Sequence, residues 1–206
     1  MRIAVYTIAL NEVNFVDRWT SSVQEADCLL VADTGSTDGT VQALRDRSVT
    51  VHNISVKPWR FDDARNSALS LIPSDVDVCI SMDMDEYMEP GWRAELERAW
   101  VEGTTRLRYT YVHNFDADGK PLHSFMADKA HARFNYRWRR PVHETVFSTD
   151  AEQIVTAPGV IMNHKQDGGK SRGQYLPLLI QSHQEFPDCS QTLYWLAREF
   201  AFNNRN

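Results

Sequence analysis

Cysteine is scarce. The 206 residues hold three, Cys28, Cys79 and Cys189, with no C-x-x-C among them and one left over in any pairing, so a disulfide scaffold and a thiolate zinc site are both disfavoured and a reducing, cytoplasmic setting is expected. No apolar run approaches the ~20 residues of a membrane span, and the first one is cut off at Asn11-Glu12 before it reaches signal-peptide length. Basic excess is missing as well. Lys plus Arg number 22 against 28 Asp plus Glu, a net charge of −6, which leaves no overall field for nucleic acid or an anionic membrane. Repeats and low-complexity stretches are absent, and so is a P-loop, because Gly169-Lys170-Ser171 would need glycine at 164, where histidine stands. What remains, 42% hydrophobic and 24% charged, is an ordinary globular composition.

The first hundred residues alternate short apolar runs with amphipathic stretches, the pattern of strand-helix units around a mostly parallel sheet. Ile3–Ala9 reads as a strand, residues 15–26 as helical, and Cys28–Ala32 as a second strand ending at Asp33. A third strand is expected over 49–56, a helix capped by Asp62 or Asp63 over 64–72, and a fourth strand over Val76–Met82. Beyond a helix at 92–101 the texture turns antiparallel. Leu107, Tyr109 and Tyr111 alternate, Asp118-Gly119 signals a hairpin, and 142–147, 154–157 and 160–162 are short strand candidates. Helices over 175–186 and 191–202 close the chain. One mixed α/β domain is expected, divided into a nucleotide-binding half (1–100), an acceptor half (101–165) and a loop with closing helices (166–206).

Open parallel sheets take ligands at the carboxyl ends of their strands, and here those ends are acidic: Asn11-Glu12, Asp33, and Asp83-Met84-Asp85-Glu86. Crowded carboxylates at a strand end are relieved by a divalent cation, although a solvated acidic turn would carry the same letters. In an extended segment Asp83 and Asp85 point to one side and Met84 to the other. A hard cation held there keeps sites for phosphate oxygens, which points to a diphosphate substrate.

Four ordered motifs then resemble the inverting nucleotide-sugar glycosyltransferases of family 2, which have the GT-A fold: Asn11-Glu12, residues 31–40 (Val-Ala-Asp-Thr-Gly-Ser-Thr-Asp-Gly-Thr), residues 59–66 (Trp-Arg-Phe-Asp-Asp-Ala-Arg-Asn), and Asp83-Met84-Asp85. Arg133-Phe134 followed by Val142-His143-Glu144 is similar to the non-processive branch. The resemblance implies a central, mostly parallel sheet flanked by helices, with a small antiparallel part and C-terminal helices. It implies a nucleotide-sugar donor, a UDP-hexose first, and Mn2+ or Mg2+ as cofactor. One sugar would pass with inversion to an acceptor that is a glycan, a protein or a small molecule; no nucleic acid and no membrane span enter.

Carried onto this sequence, Glu12, Asp33 and Asp38 become contacts to base or ribose, with Asp38 a turn residue first. Arg65 and Asp83 lie against the phosphates, Asp83, Asp85 and His164 hold the metal, and Lys165, Lys170 and Arg172 supply charge from a loop after His164. Two family features are missing, a Glu-Asp pair and Q-x-x-R-W, so the base is assigned to Glu144 and a processive synthase is disfavoured. Tyr109, Tyr111, Trp138 and Trp59 are either stacking surfaces for sugar or core. An inactive sugar- or nucleotide-binding module of the same fold is the alternative reading.

Overall fold

The computed structural model describes residues 1–165 and 173–203. Strand β1 (Ile3–Ala9) is the axis of the sheet, and its sequence says why: with Thr7 the one polar exception besides the Tyr6 hydroxyl, its side chains are apolar on both faces, as a strand covered on both sides must be. Ile3 and Val5 pack into one core cluster with Val31, Ile80, Trp19, Trp92 and Leu96, while Ala4 and Tyr6 pack into a second with Leu30, Ala32, Cys79, Leu69 and Trp138. Around it lie β2 (Cys28–Asp33), β3 (Thr50–Asn53), β4 (Val78–Ser81), β5 (Glu86–Met88), β6 (Arg106–Phe115), β7 (Pro121–Ala132) and β10 (Ile154–His164), in the order β3-β2-β1-β4-β7-β6-β10-β5. Four of the seven neighbouring pairs are parallel and three antiparallel. A separate antiparallel pair, β8 (Tyr136–Arg139) and β9 (Thr145–Ser148), lies on the second cluster.

The helices are α1 (Val16–Ser22) after a 3-10 turn at Val13–Phe15, α2 (Thr40–Arg45), α3 (Phe61–Ser70), α4 (Trp92–Ala99), α5 (Tyr175–Glu185) and α6 (Ser190–Asn203). Trp19 on α1 is fully buried and its indole N–H donates to Met82 O at 3.0 Å, tying the helix to the end of β4. Among the described residues no helix is long and apolar enough to cross a membrane, and the three cysteines are free.

Several boundaries correct the sequence reading. The two expected strands at 154–157 and 160–162 are one strand, β10, whose register to β6 shifts between Ala157 and Ile161. Pro158, which has no N–H to give to a ladder, and Gly159 occupy that irregularity. Asp62 and Asp63 lie inside the first turn of α3 and do not cap it. The strand expected at 142–147 starts only at Thr145, because Pro141–Glu144 forms a turn with His143 at φ 49°. The hairpin at Asp118-Gly119 is present as read: Gly119 has φ 78° and the Asp116 carboxylate accepts from the backbone N–H groups of Asp118 and Lys120.

Candidate functional site

The carboxyl ends of β1, β2 and β4 meet at one edge of the sheet. At the end of β2, Asp33 is 3% exposed; its Oδ2 accepts from the N–H groups of Gly35 and Ser36, both at 3.0 Å, and its Oδ1 is buried with no hydrogen-bond partner among the described residues. Half of this carboxylate shapes the loop and half is turned to something else. Glu12, 7% exposed, follows β1 and its N–H donates to Thr40 Oγ1 at 2.7 Å. Asp38 is exposed and works as the turn residue of this loop. Its Oδ1 accepts from the Thr40 N–H and hydroxyl and its Oδ2 from the Val13 N–H, bonds that hold its carboxyl below the usual range despite the opposing effect of burial. Gly39, at φ 96°, then opens α2 in a conformation that a Cβ would strain.

The acidic segment 83–86 is a turn and not an extended strand end. Glu86 N–H donates to Asp83 O at 2.9 Å, and the Glu86 carboxylate accepts from the Asp83 N–H at 2.8 Å. Period-two alternation therefore does not apply and the two aspartates diverge, although Met84 is buried as expected. Asp83 turns to Arg65, whose Nη2 donates to Asp83 Oδ1 at 2.8 Å. Asp85 turns to His164, with Asp85 Oδ2 to His164 Nε2 at 3.5 Å. Among the described residues no group of three or more His, Cys, Asp or Glu side chains is arranged to hold a metal ion by itself. Of the expected trio, Asp85 and His164 face each other and Asp83 is bound to Arg65. Burial disfavours charge on His164, but the Asp85 carboxylate outweighs it and lifts the imidazole above its ordinary value.

Arg65, on α3 and 7% exposed, binds carboxylates on both sides. Besides Asp83 it donates through Nε to Glu144, and its Nη1 donates to Ser81 Oγ at 3.3 Å. Burial opposes the guanidinium charge, yet Asp83 and Glu144 raise its pKa further above the ordinary arginine value. Asp62, at the start of the same helix, is paired not with Arg65 but with Arg60, at 3.0 and 2.9 Å, and Arg60 also reaches Glu185 on α5. Glu144, the expected base, therefore sits in an ion pair, its side chain 11% exposed. Lys165 is exposed and its N–H donates to Asp85 O at 2.9 Å, next to the pair. Lys170 and Arg172 lie outside the described residues.

Sequence reasoning missed Lys129, and it marked Glu86 only as part of the acidic run. Glu86 is 2% exposed and is held by the Tyr111 hydroxyl at 2.7 Å and by Lys129 Nζ at 2.9 and 3.1 Å. Burial works against the charge on Lys129, but Glu86 and Asp83, the latter 3.8 Å away, raise its pKa. Lys129 gave no signal because it stands on β7, remote in sequence and reached only through the β4-β7 and β6-β7 pairings. Tyr111 was marked only as stacking surface or core. Of the other aromatics in that group, Tyr109 and Trp138 are core, and Trp59 packs beside Phe61 against a third apolar cluster under α5 and α6.

The chain matches no protein-family model and no curated protein sequence. Solved structures do resemble it. Glucosyl-3-phosphoglycerate synthase from Mycobacterium tuberculosis, determined with Mn2+, uridine diphosphate and glucosyl-3-phosphoglycerate, superposes with a TM-score of 0.54 at 17% identity over 81% of this chain and 72% of that one. A further mycobacterial protein gives 0.54 at 15% identity, covering 86% and 70%. TarS of S. aureus gives 0.53 at 11% identity over 96% of this chain, which spans 43% of TarS. At such identities the likeness concerns architecture, and the architecture is the GT-A fold of glucosyl-3-phosphoglycerate synthase and TarS.

Proposed function

We propose that the chain is a nucleotide-sugar glycosyltransferase that uses a UDP-hexose and transfers one sugar with inversion. The observation that supports this best is that a buried acceptor atom on Asp33, at the end of β2, and the Asp85–His164 pair, after β4, stand at the same carboxyl edge of the sheet. The edge of a uracil or the hydroxyls of a ribose offer donors to Asp33 and Glu12. A carboxylate and an imidazole 3.5 Å apart suit a divalent cation whose other positions are filled by diphosphate oxygens and water. Asp85 and His164 would hold Mn2+ or Mg2+, which supplies neutralisation of the departing diphosphate. Lys165, whose N–H donates to Asp85 O, adds positive charge toward the same phosphates.

In the transfer, the bond from acceptor oxygen to anomeric carbon forms on the face opposite the bond to the diphosphate, which breaks and leaves with its electron pair. The acceptor proton passes to Glu144, the carboxylate assigned as base. Arg65 orients Glu144 and Asp83 together, so the base and the phosphate side share one guanidinium. That same ion pair favours a second reading, an inactive sugar- or nucleotide-binding module, because a carboxylate held by a buried guanidinium can serve the structure alone.

Incubation with UDP-glucose, UDP-galactose, UDP-N-acetylglucosamine and GDP-mannose in Mn2+, without acceptor, separates the two. A transferase releases nucleoside diphosphate slowly from one of them, whereas a binding module retains nucleotide and releases none.

A further inference from the structure

Beyond the acidic edge, the outer ends of β6 and β7 present rings on one face of the sheet. Tyr111 and Phe125 are directly opposed across the two strands, with centroids 5.2 Å apart. His113, two residues further along β6, stacks on His164 at 5.3 Å with the planes 30° apart, and Tyr111 lies 6.2 Å from the same imidazole. The series Phe125, Tyr111, His113 and His164 thus runs without a break to Asp85. Its outer members are open: Phe125 is 55% exposed and His113 is exposed, while Tyr111 is anchored underneath by its hydroxyl on Glu86. An anchored ring carrying an exposed ring beside a polar centre is more than stray surface hydrophobicity.

We infer that the Phe125–Tyr111–His113 face is the acceptor subsite and that it takes a neutral pyranose. This rests on the glycosyltransferase reading above and names the substrate class for it. A pyranose has a C–H face that packs on aromatic rings and a rim of hydroxyls that hydrogen-bond to flanking edges. Here the edges are the His113 imidazole and the bonded pair His123 Nδ1–Asn114 Oδ1 at 2.8 Å. The charged groups next to the rings are Asp85, Glu86 and Lys129, and Lys129 is committed to Glu86 at 2.9 and 3.1 Å. With Asp85 given to the cation and Lys129 answered by Glu86, these neighbours supply no spare positive charge to select a phosphate or carboxylate on the acceptor. Continuity with the Asp85–His164 pair puts a bound hydroxyl on the side of the donor.

The test uses the full chain, the donor it hydrolyses, Mn2+, and two acceptor sets: the methyl α- and β-glycosides of glucose, galactose, mannose and N-acetylglucosamine, and, as the anionic arm, 3-phosphoglycerate. The expected result is transfer to at least one neutral glycoside, with Phe125→Ala and His113→Ala each raising its KM by about tenfold while the donor KM stays put, and with Phe125→Trp restoring it. Unchanged acceptor KM in both alanine variants overturns the inference. So does transfer to 3-phosphoglycerate alone, or to none of the glycosides, by a protein that still releases nucleotide. Absence of nucleotide release from every donor brings down the glycosyltransferase reading instead, and this subsite with it.

Discussion

Arg65 concentrates more of the site in one side chain than any other residue. It is buried, it donates to Asp83 at 2.8 Å and to Glu144, and its planar fork suits two carboxylates at once in a way that an ammonium does not. Arg65→Lys should therefore lower both donor affinity and turnover, and Arg65→Ala, which strands two carboxylates, should cost roughly 3–5 kcal/mol of stability in a denaturant titration. Glu144→Gln keeps shape and size and loses only the proposed base. Donor affinity should remain and transfer fall by ~10²–10⁴-fold in a single-turnover assay. Transfer near the parent rate would assign the base elsewhere, with His143 next in line.

His131 is the buried residue with the clearest pH consequence. It is fully buried, with Nδ1 on Ala132 O and Nε2 on Tyr6 Oη, and burial first, then Arg106 and Arg133, push its pKa down to about 4. Below about pH 6.5 the unfolded chain takes up a proton that the native ring refuses, so stability falls as pH drops from there toward 4. The loss from this residue should approach about 3 kcal/mol. Urea midpoints measured across that window should flatten in His131→Gln and keep their slope in the parent.

At the scale of elements, legibility follows how local the cause is. β1 is read to the residue because a run that is apolar except at Thr7 suits a strand buried on both faces. Asp33, at the end of β2, was marked for the same reason, a polar residue stopping an apolar run. The divergence of Asp83 and Asp85 was not legible, since it depends on a turn closed by Glu86, and Glu86 is held in turn by residues of β6 and β7. β5 escaped notice because three residues carry too little periodicity, and it forms by pairing with β10, some seventy positions away. Likewise α1 is shorter than its apolar spacing suggests, ending at Ser22, while Val23 is buried beyond the helix. What fixes α1 is Trp19, packed in the main cluster and bonded to Met82 O. Trp19→Ala should cost about 3–5 kcal/mol by thermal or urea unfolding, and a smaller penalty would mean the cavity collapses.

For the whole molecule, the proposed function divides the sheet into two halves. Its parallel half, β3-β2-β1-β4, ends its strands in Glu12, Asp33 and the 83–86 turn, and its mixed half, β7-β6-β10-β5, brings His164, Lys129 and the ring face to the same edge. A donor on the first half and an acceptor on the second would meet at Asp85 and His164. The account stands on nucleotide binding at that edge. Calorimetric titration of UDP into the protein in Mn2+ measures it most directly: one saturable site in the parent, lost in EDTA and in Asp85→Ala, and weakened in Asp33→Ala, is the expected result. Equal affinity in EDTA and in Mn2+, or full affinity in Asp33→Ala, would contradict it.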